Sequence, residues 1–290
     1  MSSLTVSRAT EAEAPACLAL LPQAHQMPAE FLIARRNGRL AGAAALMWRS
    51  WAMPSGFPIS VEVPAEHRRQ GVGRRLLADA VAWASGEADG LWSLEPQALD
   101  GPGAAFLNAC GFQLARRQHH FEASGKVLRE NVAPALARLR RHGRIPADAR
   151  VVSLDEAPLE EVGWLVSAQF GGGPFRSLQN LRRRVAQRGI STGDLSQVVL
   201  HGDKVVGVLL ARLDHGIAVI DGRVVAPGSR GDWAGALQLD AVLGLGPRLG
   251  LDTFRFHCDD DVRDTLSLAR RSNARELAQK GLFYYALTAV

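Results

Sequence analysis

The chain has 290 residues, 47% of them hydrophobic and 22% charged, which is typical of a globular protein with one large domain or two ordinary ones. The longest uncharged apolar run, Leu40–Trp48, has the length of a strand, so the sequence predicts no membrane span. The formal net charge is +5, from 34 Lys and Arg against 29 Asp and Glu. This small excess is spread along the chain without interleaved aromatic residues, which argues against nucleic-acid binding and is compatible with a small polyanionic ligand.

Three cysteines, Cys17, Cys110 and Cys258, are odd in number and widely separated along the chain. They predict neither a disulfide framework nor a metal site, and they indicate a reducing compartment. The N-terminal residues mix acidic and basic side chains and contain no apolar signal core. Together these features predict a cytoplasmic protein without a bound metal.

The first 123 residues alternate between strand-like and helix-like patterns in the order β-α-β-β-β-α-β-α-β. Two apolar runs joined by Asn37-Gly38 predict a tight hairpin, since this dipeptide favours positive φ angles. Residues 74–86 have apolar side chains at helical spacing and end on a glycine, so we expect a helix there. The remaining strands are predicted at Leu4–Arg8, Ile59–Val63, Leu91–Pro96 and Gln113–Ala123, and the remaining helices at Glu11–Pro22 and Gly103–Phe112.

Residues 124–149 are basic and weakly amphipathic, and they predict a helical connector. From residue 150 the strand and helix pattern begins again. A single offset of 162 residues aligns Val63 with Val225, Arg68 with Arg230, Gly73 with Gly235 and Leu77 with Leu239. Self-similarity at this scale indicates a duplicated domain. We therefore predict two tandem domains, at residues 1–123 and 150–290, on either side of the connector at residues 124–149.

The most informative stretch is VEVPAEHRRQGVGRRLL, at residues 61–77. Its two glycines, Gly71 and Gly73, allow main-chain N–H groups to approach a phosphate without a Cβ in the way. The helix that follows directs its positive N-terminal end to the same place, and the surrounding arginines can add charge-assisted hydrogen bonds. Two known phosphate loops do not fit. The P-loop string is absent from the chain, and the dinucleotide fingerprint needs a third glycine where Leu76 stands.

The pattern R-x-x-G-x-G, entered from a V-x-V-P strand and followed by a helix with paired leucines, resembles the GNAT superfamily of acyl-coenzyme A-dependent N-acyltransferases. The strand order and the segment FLNACGF at residues 106–112 agree with this resemblance, which covers nearly the whole chain, once in each half. It implies an α/β fold with a mixed sheet, two tandem GNAT-like domains, and acetyl-coenzyme A (acetyl-CoA) as co-substrate. The residues that it assigns to cofactor binding are Val61, Val63, Arg68, Arg69, Gln70, Gly71, Val72, Gly73 and Arg74.

In this superfamily the acceptor amine attacks the thioester directly. The resemblance implies that a splayed bulge in the fourth strand, at Val61–Val63, presents a main-chain N–H to the thioester carbonyl. A carboxylate takes a proton from the amine. We predict Glu62 and Glu95 for this role because their strands should flank the site, with Asp221 as the second-half counterpart, although a glutamate in a strand also commonly faces solvent.

A tyrosine near the end of the second helical motif often protonates the leaving thiolate in this superfamily. Leu107 stands at that position in the first half, and the corresponding position in the second half is near Leu277, so neither half has the expected acid. The chain's two tyrosines, Tyr284 and Tyr285, lie in the final predicted strand and are expected to have packing roles. The class of enzyme is less affected than the mechanism, because water or another group can supply this proton.

The two halves differ at the glycine stretch. Trp233 stands where Gly71 does, although Arg230, Gly231 and Gly235 are kept. An indole at this position would crowd a pyrophosphate, and a backbone with positive φ disfavours tryptophan. We therefore assign cofactor binding to the first half and expect the second to be structural or to shape the acceptor site.

The function that follows is acetyl-CoA-dependent N-acetylation of a primary amine, on a small molecule or a protein terminus. One alternative is a non-catalytic acyl-CoA-binding protein, which the missing tyrosine favours. A second alternative is a tandem aminoacyl transferase that takes its acyl group from charged tRNA. The intact first glycine stretch argues against that reading, and salt-dependent retention of tRNA would support it.

Overall fold

A computed structural model of the protein describes residues 3–26, 29–47, 56–170, 174–186, 195–227 and 233–287. The strands in chain order are β1 (Leu4–Arg8), β2 (Ala29–Arg36), β3 (Arg39–Met47), β4 (Phe57–Glu62), β5 (Gly90–Ser93), β6 (Gln97–Ala98), β7 (Gln113–Ser124), β8 (Ala149–Ser153), β9 (Gln197–His201), β10 (Lys204–Asp214), β11 (Ile217–Val225), β12 (Thr253–Asp259) and β13 (Arg275–Ala286). The helices are α1 (Ala14–Leu20), α2 (Val72–Ala84), α3 (Pro102–Ala109), α4 (Gly125–Arg141), α5 (Leu159–Phe170), α6 (Pro174–Ala186), α7 (Trp233–Leu249) and α8 (Arg263–Arg271). In the described ranges no helix has the length and apolarity needed to cross a membrane.

The chain folds into two compact units. The first unit comprises Met1–Arg117 together with Lys280–Val290, and the second comprises Gln118–Gln279. In the first unit the strands follow the order β1-β2-β3-β4-β5-β13, and in the second they follow the order β8-β9-β10-β11-β12-β7. Each order contains one described parallel pair, β4 with β5 and β11 with β12, and the other described pairs are antiparallel.

The sixth strand of each unit is not the strand that follows its last helix in the chain. Chain order places β7 directly after α3, yet β7 pairs with β12, with Phe121 opposite Phe256. Chain order places β13 directly after α8, yet its C-terminal part pairs with β5, with Tyr284 opposite Trp92. The unit boundaries therefore differ from the predicted ones at residues 123 and 149. Helix α4, predicted as a connector, is part of the second unit.

The boundaries differ from the predicted ones because the partners of β7 and β13 are set by long-range pairing. Strands β7 and β13 each have 12 residues, and local sequence pattern does not specify which sheet edge a strand joins. The hairpin at Asn37-Gly38 and helix α2 depend on local signals, and both form as predicted. Asn37 and Gly38 have φ angles of 51° and 78°, which matches the conformation that this dipeptide favours.

Helix α2 packs on the first sheet because its apolar residues recur at helical spacing. Leu76, Leu77 and Ala80 are at most 3% exposed and form one core cluster with residues of the strands. Phe283 of β13 belongs to this cluster and is 1% exposed. In the second unit Phe254 of β12 is equally buried, and it packs with residues of α7 and α4. Each unit therefore has its own core.

A close helix-on-strand contact recurs in the two units. Its strand carbonyl and its helix residue keep the offset found in the sequence, whereas the glycine does not, since Gly207 lies 165 residues after Gly42. A Cβ on Gly42 would lie 3.0 Å from the carbonyl oxygen of Glu62 and 3.2 Å from the side chain of Leu76. A Cβ on Gly207 would meet the side chain of Gln238 at 2.4 Å and the carbonyl oxygen of Val224 at 3.5 Å. Val224 and Gln238 each lie 162 residues after their first-unit counterparts. The two units are thus matching copies in this part of the fold.

Candidate functional site

Strands β4 and β5 separate partway along their length. Strand β4 pairs with β3 up to Glu62, opposite Ala43, but it pairs with β5 only up to Ile59. The main-chain N–H of Leu94 donates to the carbonyl of Ile59 at 2.9 Å, and the described ladder ends there. Because alternate residues of a strand direct their main-chain groups to the same side, the N–H of Val61 faces this opening. The pairing of β4 with β3 has no register shift between residues 59 and 62, so the bulge predicted for this strand is not present there.

The turn before α2 requires glycine for its backbone. Gly71 has a φ of +80° and immediately precedes the helix. A Cβ on Gly71 would meet nothing within 4 Å, so the constraint is the left-handed conformation and not a lack of space. Arg69 is also left-handed, with φ of 59°. Two left-handed residues close together turn the chain sharply, so that the free N–H groups at the start of α2 lie beside the end of β4.

Gly73 has a different structural role from Gly71. It lies inside α2, and a Cβ there would be 3.3 Å from the ring of Phe106 on α3. Because Gly73 has no side chain, α2 and α3 can pack closely at this point. Val72, between the two glycines, is 1% exposed, so only its main chain is available to a ligand.

The arginines around the turn differ in how many contacts their guanidinium groups already make with the protein. Arg68 folds back on the strand, where its Nε donates to the carbonyl of Val63 at 2.8 Å and its guanidinium pairs with Glu62 at 2.9 Å. Arg74 makes a long hydrogen bond of 3.4 Å to the carbonyl of Ala109. Arg69 is exposed and forms no ion pair within the described part of the chain. Arg69 is therefore the cation of the turn that is freest to meet an anionic group.

Gln70 is held from both sides. Its Nε2 donates to the carbonyl of Glu66 at 2.8 Å, and its side-chain oxygen accepts a hydrogen bond from Arg36. Arg36 also donates to the main-chain carbonyl of Gln70, at 3.0 Å. Sequence reasoning missed Arg36, since it lies 34 residues before the turn and only the β2–β3 hairpin brings it there. The sequence indicated only that Arg36 lies directly before the predicted Asn37-Gly38 turn, at the end of β2.

The two predicted bases lie in different surroundings. Glu62, at the end of β4, already pairs with Arg68, and its side chain is 42% exposed. Glu95 follows β5, just beyond the point of separation from β4, and is exposed. The described residues provide no ion pair to Glu95. Of the two carboxylates, Glu95 is therefore the one without a competing cation.

The tyrosines belong to the first unit, not to the second as chain order suggested, because β13 completes the first sheet. Tyr284 donates its hydroxyl to the carbonyl of Asp89 at 2.9 Å, and burial raises the pKa of this phenol. Tyr285 packs against Phe112, with ring centroids 5.3 Å apart. Leu107, at the position where a tyrosine was expected, is 9% exposed and part of the core. Both tyrosines have the packing roles that were expected.

The second unit shows the same separation of strands. Strand β11 pairs with β12 only at Ala218 and Val219, so residues 220–225 extend beyond the described pairing. A bulge lies in β11 at Asp221, since Leu210 is opposite Gly222 and Ala211 is opposite Ile220. By the offset of 162, Asp221 corresponds to Ile59, so this bulge lies two residues before the position that matches Val61.

Asp221 and Trp233 both have structural partners in the second unit. Asp221 pairs with Arg184 and, at 3.2 Å, with the Nε of Arg212. Trp233 is the first residue of α7 and 8% exposed, and it packs in a core cluster with Leu136 of α4. It does not occupy a left-handed turn as Gly71 does. Arg230 and Gly231 lie outside the described residues.

A histidine in the second unit is held between two carboxylates. His119 contacts Glu276 through Nδ1 at 2.5 Å and Asp260 through Nε2 at 2.6 Å. Burial alone would lower the pKa of His119, but the hydrogen bonds to Glu276 and Asp260 outweigh it and raise the pKa. Asp260 belongs to the run of three aspartates at residues 259–261, and it is exposed while it binds His119. His120 stacks on His257 with ring centroids 5.4 Å apart. These contacts hold strands β7, β12 and β13 together and lie outside the candidate site of the first unit.

Comparisons with known proteins agree with this architecture. Residues 3–112 match the family described as Acetyltransferase (GNAT) family. Among solved structures, a tandem GNAT protein from the clavulanic acid biosynthesis pathway superimposes with a TM-score of 0.59 at 16% identity, over 99% of this chain and 100% of that one. A GCN5-related N-acetyltransferase from Sphaerobacter thermophilus gives a TM-score of 0.54 at 16% identity, over 98% and 96%. Eis1 from Mycobacterium abscessus gives 0.64 at 13% identity, over 98% and 74%.

No curated protein matches the sequence. Structural likeness at these identities establishes the fold, and it extends over both units. The predicted fold class, an α/β protein with two tandem GNAT-like domains, is thereby confirmed. Residues 3–112 of the first unit match the acetyltransferase (GNAT) family, and the chain as a whole has the fold of tandem GNAT proteins.

Proposed function

We propose that the protein is a cytoplasmic N-acetyltransferase that transfers the acetyl group of acetyl-CoA to a primary amine of a small molecule or a protein terminus. The observation that supports this most directly is the opening between β4 and β5. The free N–H of Val61 faces the opening, and the N-terminus of α2 begins ten residues after the end of β4. A thioester carbonyl can accept from that N–H while the diphosphate lies at the start of the helix.

The first unit's own residues divide the binding task. The main-chain N–H groups of residues 71–74 provide donors for phosphate oxygens, and Gly71 sets their direction. Arg69 adds a cation that forms no ion pair with any described residue, and Gln70 is fixed by Arg36 so that the turn keeps its shape. A preformed donor set of this kind loses little conformational entropy on binding.

The transfer step needs an acceptor, a base and a proton for the thiolate. The amine nitrogen bonds to the thioester carbonyl carbon, and the carbon–sulfur bond then breaks. The N–H of Val61 stabilises negative charge on the carbonyl oxygen during this step. Glu95 takes the proton that leaves the amine, and Glu62 holds Arg68 beside the turn. The proton that Glu95 has taken reaches the thiolate through water, since Leu107 cannot supply one.

The test uses a matched pair of glycines in the first unit. Gly71 and Gly38 have φ angles of +80° and +78°, and a Cβ at either position would meet nothing within 4 Å. Alanine therefore imposes the same backbone penalty of about 1–2 kcal/mol at both positions. Binding to the Gly71→Ala protein must restore the strained turn, so we expect its affinity for acetyl-CoA to fall roughly 5- to 30-fold.

The Gly38→Ala protein serves as the control, and calorimetric titration of acetyl-CoA should give wild-type affinity with it. Equal losses in the two variants would contradict the assignment of this turn to acetyl-CoA. Unchanged binding in Gly71→Ala would contradict it as well.

A non-catalytic acyl-CoA-binding protein is the second candidate, because the buried Leu107 leaves the thiolate without a side-chain acid. A thiol-release assay with a panel of primary amines separates the two functions. Amine-dependent release that is lost in Glu95→Gln supports the transferase. Tight acetyl-CoA binding without release for any amine supports the binding protein.

A further inference from the structure

The second unit contains a large cleft that the proposed function does not use. It has a volume of about 960 Å³ and lies between β11, β12 and the helices α4, α7 and α8. This volume is at the upper end of the range of about 300–1,000 Å³ that is usual for small-molecule sites. Much of its wall is apolar, from Leu128, Val132, Ile220, Leu239, Leu243 and Phe256.

Arg223 makes this cleft different from the opening in the first unit. By the offset of 162 it occupies the position of Val61. Its guanidinium pairs with Asp264 of α8 at 2.5 Å and contacts the hydroxyl of Thr265 at 3.3 Å. The same side chain lies against α7, where a Cβ on Gly235 would be 3.2 Å from it. Arg223 therefore spans the space between α7 and α8, beside the strand that has separated from its neighbour.

The charge around the cleft is predominantly positive. Its lining includes Arg138 in the last turn of α4, Arg144 just beyond that helix, and Arg263 and Arg271 at the two ends of α8. None of these four arginines forms an ion pair with any residue that the structure describes. Of the two carboxylates in the lining, Asp264 already pairs with Arg223, which leaves Asp261. An apolar wall with an excess of unpaired arginines favours a ligand with an apolar body and an anionic end.

We propose that the cleft of the second unit binds an amphipathic anion, namely an unbranched acyl or alkyl chain that ends in a carboxylate or a phosphate. The chain lies along the apolar side chains of α4, α7 and β11, and the anionic group meets the arginines of α4 and α8. This site goes beyond the proposed acetyl transfer and does not depend on it.

The probes are hexanoate, octanoate, decanoate, decyl phosphate and decanol, each titrated calorimetrically into the full chain without acetyl-CoA. We expect one site, with affinity rising about fourfold for each added methylene from hexanoate to decanoate. Decanol should bind at least about tenfold more weakly than decanoate, because it lacks the charge that the arginines recognise. Comparison of decanoate with decyl phosphate identifies which anionic group is preferred. Equal affinities for decanol and decanoate would overturn the proposal, as would no binding of any probe.

Two residues on α4 provide a matched pair that locates the site. Ala135 lines the cleft and is half-buried, whereas Ala137 is exposed and is not part of the lining. A tryptophan at position 135 would fill part of the cleft, so Ala135→Trp should abolish decanoate binding. Ala137→Trp should leave it unchanged. Decanoate binding that persists in Ala135→Trp would overturn the proposed location, provided that circular dichroism shows both variants folded.

A second pair tests the arginines and excludes acetyl-CoA as the true ligand. The double change Arg138→Gln and Arg263→Gln should weaken decanoate at least about tenfold and leave decanol unaffected. The control changes the exposed arginines Arg140 and Arg141, which do not line the cleft. Decanoate binding should survive in the Gly71→Ala protein. Competition between coenzyme A and decanoate in that protein would identify a second coenzyme A site and overturn the proposal.

Discussion

The main-chain N–H of Phe283 donates a hydrogen bond of 2.9 Å to the hydroxyl of Ser93, which lies 190 residues earlier in the chain. Both residues are buried in the first unit, at 1% and 4% exposure. Ser93 ends β5, the strand that borders the opening opposite Val61. Strand β13, which is made late in the chain, thus contacts β5, the strand that borders the candidate active site.

The first prediction concerns the dependence of the N-terminal unit on this strand. Phe283→Ala should destabilise the first unit by about 3–5 kcal/mol, because it removes a fully buried aromatic side chain. Hydrogen exchange read by mass spectrometry should show faster exchange in α2 and β3, with β10 and β11 protected as in the wild type. Phe254→Ala, at an equally buried position of the second unit, should give the reverse pattern. Loss of protection only in residues 118–279 of the Phe283→Ala protein would contradict the assignment of β13 to the first unit.

The second prediction separates the roles of the two glutamates. Glu95→Gln should lower kcat by roughly 100-fold or more, as expected when a general base is removed. Glu62→Gln breaks an exposed ion pair with Arg68, which is worth at most about 1 kcal/mol, so it should raise the KM for acetyl-CoA by no more than about fivefold.

Steady-state kinetics with an accepted amine distinguishes these outcomes. Glu66→Gln is the matched control, since Glu66 is exposed in the same segment and only its main-chain carbonyl accepts a hydrogen bond from Gln70. A larger loss of kcat in Glu62→Gln than in Glu95→Gln would reverse the assignment.

The third prediction concerns pH. The pKa of His119 is raised in the folded protein, so its contribution to stability is fully present below its unfolded pKa of about 6.5 and is lost as the pH rises through the folded value. Accordingly, His119→Gln should lower the urea midpoint relative to wild type most at pH 5.5, with a smaller difference at pH 9. Substitution of the exposed His142 should have no comparable effect. A difference that grows with rising pH would show that the two carboxylates do not stabilise a charged imidazolium.

The fourth prediction uses two glycines of α7. A Cβ on Gly244 would meet nothing within 4 Å, whereas one on Gly246 would lie 2.8 Å from the carbonyl oxygen of Leu251. Gly244→Ala should therefore stabilise the second unit by about 0.5–1 kcal/mol, the usual gain from alanine in a helix interior. Gly246→Ala should destabilise it, since a backbone oxygen cannot move aside easily. Urea denaturation measures both, and the same sign for the two changes would contradict the packing described for α7.

Local signals in the sequence were sufficient for most elements. The Asn37-Gly38 hairpin, helix α2 and the left-handed Gly71 follow from the conformational preferences of a few adjacent residues. Gly73 shows the limit of this reasoning. The sequence suggested close approach to a phosphate, but its nearest neighbour is Phe106, and such a contact depends on how α3 packs.

Long-range pairing was not accessible in the same way. Strand β7 could join the edge of either sheet on the basis of its alternation alone, and so could β13. Arg36 and Gln70 meet only because the hairpin returns the chain to the turn before α2. The bulge at Asp221 reflects a register shift between two strands, which no single strand encodes.

The exchange of sixth strands also sets an order of events during synthesis. Residues 1–117 leave the ribosome well before Lys280–Val290 exist, since residues 118–279 must be made in between. At roughly 5–20 residues per second, that interval lasts on the order of ten to thirty seconds. During this interval the strand that covers β5 in the folded unit has not yet been made, and an uncovered sheet edge is a site at which chains can aggregate. The unit whose first strands are translated earliest is therefore completed only after β13 has been made.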